Sequence, residues 1–371
     1  MLIIQKLYIK DFFRVFLILG LGISMVFSIL GLIDKFDDFT SENLSIVMLF
    51  KYTLYNIPKY LNYVMPMAIL LSGLFIFSQA MKRREIVAIK TAGGKMNRIL
   101  APFLVLGVLL SLFGFFLSEI VIPILSKEVQ SIKNQLAKKE SRIAFREGTI
   151  FMKGKDNSVV RIALYLEDKD VFYGVSIFKY DENGLKEKVD AETAEWDGNS
   201  WRLKNVTIFS LPEGKVVSTP EIVSEHMESP KILKKEMQKS EEMTITELIE
   251  YQKRLNDAGF KNIKLSVDIS SRFSYPLINF FMVVLGLSLS TGADNRLLQK
   301  ILHEKAGGKH MSGSGVVAVG LGLLISLLYW FGHSFFLSLG YAGTISSLVA
   351  AWIMPAVFAA CSVYLYRQIP E

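Results

Sequence analysis

The sequence predicts an α-helical membrane protein with six transmembrane helices, three before and three after an inserted all-β domain. Three observations carry this. Hydrophobic residues make up 51% of the 371, and the mean hydropathy of +0.35 is too apolar for a water-soluble chain of this length. Those residues gather into six runs, each long enough to span a bilayer. Between the third and fourth runs the pattern changes to short alternating segments punctuated by turn residues, the mark of antiparallel strands.

The charge pattern orients the chain. There are 42 Lys and Arg against 35 Asp and Glu, with a pI near 9.1. Residues 127–270 are nearly neutral, so the basic excess sits beside the apolar runs. That is a topology signal, not a nucleic-acid footprint, and no nucleic-acid partner is expected. The single cysteine, Cys361, lies inside the last run, which excludes an intrachain disulfide and a thiolate metal cluster.

The first run, Phe12–Ile33, follows Lys6, Lys10 and Arg14. It is too long for a signal-peptide core and no small-residue cleavage site follows, so it reads as a retained span. Asp34, Lys35, Asp37 and Asp38 mark its outer end, and residues 34–53 form a short outer connection. The second span, about Asn56–Ala80, carries Pro58 and Pro66, which predict a kink. Next comes Lys82–Arg98, a loop with six basic residues and one acid, Glu85. A basic loop between two spans is cytoplasmic. The third span is about Ile99–Leu125 and ends at Glu119 and Pro123. These elements make residues 1–126 the first membrane segment.

Residues 127–270 form the outer domain. After a polar helical stretch at 127–141, strands fit Ile150–Met152, Val159–Leu164, Val171–Tyr180, Glu187–Trp196, Trp201–Ser210 and Lys215–Val223. The breaks between them (Asp156-Asn157, Glu182-Asn183-Gly184, Asp197-Gly198-Asn199, Pro212-Glu213-Gly214) are hairpin chemistry. Six or more antiparallel strands so spaced make a sandwich, jelly roll or open barrel. A helix then starts at the capping box Thr244-Ile-Thr-Glu247 and stops at Gly259. Residues 271–371 hold the remaining spans, about Phe273–Leu289, Val316–Leu339 and Ile345–Tyr366. The loop 290–313, with Arg296, Lys300, Lys305 and Lys309 against Asp294 and Glu304, is cytoplasmic, as are both termini.

No catalytic pattern emerges. His226, His303, His310 and His333 are scattered, with no HExxH and no GxSxG. Ala92-Gly93-Gly94-Lys95-Met96 lacks the first glycine of a phosphate loop and has Met where Ser or Thr would hold magnesium; Gly307-Gly308-Lys309 fails similarly. Two intramembrane groups stand open: Glu119, functional or merely facing water, and His333, functional or a neutral hydrogen-bonded group in the bundle. In the basic loop, Arg84–Ala92 suits a short helix with Glu85 beside an Ile86, Ile89 and Ala92-Gly93 stripe. Such a helix either lies on anionic lipid head groups or docks in a cytoplasmic ATPase. In the strands, the apolar alternates Ile150, Met152, Val160, Ile162, Val175, Ile177, Val206 and Ile208 face inward, filling a closed core or covering a lipid in transit.

Several stretches, in order, resemble the LptF/LptG permeases of the lipopolysaccharide export ABC transporter, the LptG branch more than the LptF branch. They are Tyr8-Ile9 with Gly31–Asp38, Arg84–Gly93, Ser118–Pro123, Glu250–Gly259, Ser274–Leu277 and Leu285–Ser290. The resemblance implies a periplasmic jellyroll-like domain between two sets of three helices in the inner membrane of a Gram-negative bacterium. It also implies a paralogous permease partner, a cytoplasmic ATPase dimer of the LptB kind, and periplasmic bridge proteins of the LptC and LptA kind. ATP and magnesium would sit on the ATPase, leaving no cofactor in this chain. Arg84, Glu85, Ile86, Ile89, Ala92 and Gly93 would contact that ATPase, with Glu85 as the family's coupling acid. Lys35 would meet lipopolysaccharide phosphates, and the inward alternates of the β domain would carry its acyl chains. A mechanotransmission permease, which moves an outer domain without carrying lipid, is the alternative. A membrane-anchored lipid enzyme is a third reading that lacks a clustered site.

Overall fold

The structure, a computed structural model, describes residues 3–35, 46–136, 143–146, 149–153, 158–166, 171–181, 184–198, 200–210, 214–224, 227, 243–257, 261–291 and 314–369. Asp37, Asp38, Gly259, His226, the 292–313 part of the loop with its four basic residues, and most hairpin tips lie outside these residues. The chain forms two compact units, residues 1–132 with 263–371, and residues 133–262.

The first unit is helical. α1 spans Ile3–Ile33, α2 Ile46–Lys82, α3 Glu85–Thr91 and α4 Met96–Phe116. A π-helical turn, Leu117–Val121, joins α4 to α5, Ile122–Leu136. After the second unit come α7 (Ile263–Thr291), α8 (Ser314–Tyr341) and α9 (Ser347–Arg367). Among the described residues, six helical stretches are long and apolar enough to cross a membrane, three ahead of the strands in sequence and three behind. The second begins ten residues before the expected Asn56, because the polar-flanked stretch from Ile46 is helical as well. Pro58 and Pro66 lie within that one helix. α9 is capped by Ser346, whose Oγ accepts from the Val349 amide at 3.4 Å.

α2 and α7 form the centre of this unit. Their apolar windows are 72% and 67% buried, against 22% for α1 and for α8. Gly73 and Gly286 face each other: a Cβ added to either would stand 3.5 Å from the other's Cα. Without side chains there, the two backbones approach closely, as small residues allow in membrane helices. Phe12, Phe77 and Phe103 interlock α1, α2 and α4, with ring centroids at 6.0 and 5.0 Å.

Among the described residues, the second unit holds a seven-stranded antiparallel sheet: β1 Ile143–Arg146, β2 Thr149–Lys153, β3 Ser158–Leu166, β4 Val171–Asp181, β5 Gly184–Trp196, β6 Trp201–Ser210 and β7 Lys215–Ser224. β1 was not foreseen; it is four residues long and flanked by charge. Each strand pairs with the next in sequence, in the order β1 to β7. The described strands therefore form an up-and-down meander, without the crossovers that define a jelly roll. α6, Ile245–Asp257, begins with the expected capping box. The Glu247 amide donates to Thr244 Oγ1 (3.2 Å), and the Thr244 amide donates to Glu247 Oε2 (2.8 Å).

A crease crosses the sheet. The ladder skips Ala163, Gly174, Glu192, Asn205 and Pro220, which lie opposite one another on β3 to β7. Gly174 (φ 61°) and Asn205 (φ 53°) are left-handed there, a conformation open to glycine and tolerated by asparagine. Asn205 Nδ2 also donates to Glu192 Oε2 at 2.6 Å. Across the crease inward side chains fall three residues apart instead of two: Ile162 and Tyr165, Phe172 and Val175, Ala191 and Ala194, Leu203 and Val206, with the left-handed residue on β4 and on β6. One buried cluster continues across the crease.

Candidate functional site

The loop between α2 and α4 places its acid on a short, bracketed helix. α2 ends at Lys82, and Arg84 turns the chain in a left-handed conformation, φ 58°. α3 then runs for seven residues with Glu85 in its first turn, where a carboxylate offsets the exposed amides. Gly93, φ 78°, ends it, and the Gly94 amide donates to the Ile89 carbonyl at 2.9 Å. That is a Schellman stop, which needs a left-handed residue at the Gly93 position.

The two faces of α3 differ. Ile86 is 3% exposed and belongs to the bundle core, and Ile89 packs against that core. Of the two, Ile86 is buried in the chain's own core and Ile89 is half-buried against it. Apolar spacing marks which face is oily, and a seven-residue helix needs that face to anchor itself. The outward face carries Arg83, Arg84, Val87, Ala88, Ala92 and Gly93. Glu85 stands between the faces with its side chain 38% exposed. Its Oε2 accepts from the Tyr8 hydroxyl at 2.7 Å, while Oε1 lies 3.8 Å from Arg83 Nη1. The Tyr8 contact spans 77 positions of sequence, and no local pattern signals it.

The eight expected inward residues of the β domain share one face. Ile150, Met152, Val160, Ile162, Val175, Ile177 and Val206 are buried, and Ile208 packs against them. The pairing Ile150–Ile162–Val175–Ala191–Val206 runs as one rung, and Met152–Val160–Ile177–Val189–Ile208 as the next. All eight lie on one side of the crease. Across it the lining turns aromatic. Phe172 stacks on Trp201 (4.1 Å, 19°) above the small Ala194, flanked by Tyr165 at 4.9 Å and Trp196 at 5.2 Å. Period-two reading missed these residues because the pleat changes phase at Gly174 and Asn205. A glycine in mid-strand is the available signal.

Lys35 follows α1 in a turn, partly exposed, with its amide donating to the Leu32 carbonyl at 3.2 Å. Glu119 does not simply face water. Arg272 of α7 donates from Nη1 to Glu119 Oε1 (3.0 Å), to the Ser118 carbonyl (2.9 Å) and to Ser118 Oγ (3.3 Å). The π turn makes room for this. Its wider spacing, seen in the Ile122 amide reaching the Leu117 carbonyl, turns the Ser118 carbonyl toward the guanidinium. His333 is buried between Tyr329 and Tyr275, with ring centroids 5.5 Å from each. Its Nδ1, the Tyr329 hydroxyl, Ser326 Oγ and Asn279 Oδ1 are buried without a hydrogen-bond partner. Neither group sits beside α3 or within the sheet.

The sequence itself is similar to known proteins. The LptG permease proteins of the lipopolysaccharide export systems of Escherichia coli K12 and Escherichia coli O6:H1 (strain CFT073) are each 25% identical over 247 residues, 65% of this chain and 68% of theirs. An uncharacterised protein of Rickettsia prowazekii is 21% identical over 309 residues, 78% of this chain and 82% of its own. The profile of the lipopolysaccharide export system permeases LptF/LptG matches residues 6–368, from the first turn of α1 to the end of α9. With that match and six membrane-capable helices, the chain is a multi-pass membrane protein that belongs to the LptF/LptG family of lipopolysaccharide export permeases.

Proposed function

We propose that this chain is one permease subunit of an ATP-driven exporter that lifts lipopolysaccharide from the inner membrane and hands it outward through its β domain. The carrying observation is α3: a short helix between two long apolar helices, anchored by its inner face, with an acid at its first position and an open outer face. In this reading the loop 82–98 and both termini are cytoplasmic, and the 127–270 domain is periplasmic. Arg84, Glu85, Ala92 and Gly93 meet a dimeric ATPase of the LptB kind, which holds ATP and magnesium. A paralogous subunit completes the membrane pair.

The β domain suits the cargo. Each CH₂ of an acyl chain left in water costs about 0.8 kcal/mol, and the inner face of the sheet is apolar on both sides of the crease. Among the described strands β7 is the last in the sheet, with Val216, Val217 and Val223 exposed, a surface on which a bridge protein of the LptC or LptA kind can add a strand. Lys35 is the candidate contact for the phosphates. One observation favours the alternative of a mechanotransmission permease: the interior is filled by its own side chains, with Val160 and Ile162 fully buried.

Photocrosslinking residues placed at Ile162 or Ile177 in the assembled, lipopolysaccharide-loaded complex separate the two readings. ATP-dependent lipopolysaccharide adducts are expected at both. Active ATP hydrolysis and export without adducts at either position would establish the mechanotransmission reading instead.

A further inference from the structure

We propose that Tyr8 and Gln5 fasten the coupling loop to α1, so that α1 receives the movement imposed on α3. The inference rests on the reading of α3 as the ATPase contact.

The backbone is a poor transmitter at both ends of α3. Arg84 and Gly93 are left-handed residues outside regular helix, the positions at which a chain pivots by small changes in φ and ψ. Movement of α3 must pass through side chains. Two polar ties at 2.7 Å run from this region to the first turns of α1. Tyr8 donates to Glu85 Oε2 at 2.7 Å, and Gln5 Nε2 donates to the Arg98 carbonyl at 2.7 Å. Gln5 and Tyr8 are three residues apart, so they share one face of α1. Both are buried, at 5% and 4% exposure. One grips the start of α3 and the other the start of α4, holding the loop at both flanks.

The Glu85 carboxylate divides its work. Oε2 is turned inward to Tyr8. Oε1 points toward Arg83 at the surface, where a cation of a docked partner can reach it. A pull on the outer oxygen therefore acts on the hydroxyl through a charge-assisted hydrogen bond. Behind it, the Tyr8 ring rests on Phe77 at 5.7 Å. α1 is also fit to respond. Only 22% of its apolar window is buried, so it is held along one side, whereas α2, at 72%, is fixed in the bundle centre. A push on α3 thus reaches α1 at the rim of the bundle and α2 at its centre.

The test uses the complete complex, the permease pair with its ATPase dimer, in liposomes containing lipopolysaccharide. Tyr8→Phe removes the hydroxyl and keeps the ring. ATPase co-purification, ATP hydrolysis and melting temperature are expected to stay near wild type. Lipopolysaccharide released per ATP falls by about tenfold, the order of one lost hydrogen bond to a charged group. Gln5→Leu, which loosens only the α4 flank, lowers the same ratio by less. A wild-type ratio in Tyr8→Phe overturns the proposal. If Tyr8→Phe melts early, a wild-type ratio in Gln5→Leu overturns it. Glu85→Lys checks the underlying reading separately: if the ATPase still co-purifies with that variant, α3 is not the docking element. Loss of the ATPase in Glu85→Lys together with a normal ratio in Tyr8→Phe rejects only the fastening role.

Discussion

Replacing Arg272 by methionine is expected to cost about 3–5 kcal/mol of stability, read as an early melt of the detergent-solubilised protein. The side chains of Arg272 and Glu119 are only 11% and 13% exposed, so neither charge is dissolved by water. Their attraction is offset by the cost of drying both ions, and the pair as a whole contributes modestly. Removing one partner is different. It leaves the Glu119 carboxylate in a low-dielectric setting without its guanidinium, and it strips a donor from the Ser118 carbonyl that the π turn has aimed at it. The double variant Arg272→Met with Glu119→Leu is expected to recover most of the loss, since two apolar side chains suit the site better than a carboxylate that has lost its guanidinium. Equal melts for the double and the Arg272→Met single variant would refute this account. The pair also ties α7 to the segment after α4, so the single variant should loosen the α4–α7 contact before the α2–α7 contact.

The second large effect lies in the sheet. Gly174→Val is expected to destabilise the β domain by about 2–5 kcal/mol. A β-branched residue forced to φ 61° costs about 1–2 kcal/mol. The new Cβ would stand 2.9 Å from Ala163 Cβ, and such overpacking costs about 1–3 kcal/mol more. Hydrogen exchange in β3 to β5 of the full-length protein reads the change, while the helical unit serves as internal reference. Asn205→Gly is the counterpart on the same crease. It relieves the left-handed asparagine but gives up the bond to Glu192, so it should move stability by less than about 1 kcal/mol. If exchange in β3 to β5 is unaltered by Gly174→Val, the crease is not a requirement of the fold.

Much of the architecture was legible because membrane helices and hairpins advertise themselves locally. Apolar runs give the six long helices, and Thr244 with Glu247 marks the start of α6 from four residues. Alternation finds the inner face of the strands, but only up to Gly174 and Asn205. Beyond them the phase is set by backbone conformation, which period-two counting cannot register, and so Tyr165, Phe172 and Trp201 went unseen. Ile86 and Ile89 teach the complementary point. Their spacing reveals an apolar stripe, yet a stripe does not say whether the chain's own core or a partner covers it. Tyr8 with Glu85 and Glu119 with Arg272 are separated by 77 and 153 positions, so each acid reads as lone until the helices are packed.

The consecutive order of the seven strands bears on how the protein is made. Every described strand after the first finds a partner in the strand synthesised just before it. Pairing thus closes only short loops, and no strand waits for a segment still to come. The sheet can grow hairpin by hairpin from its first strand while α7, α8 and α9 are still unmade. Each new hairpin pairs the open edge of the strand before it, which shortens the interval in which that edge invites aggregation.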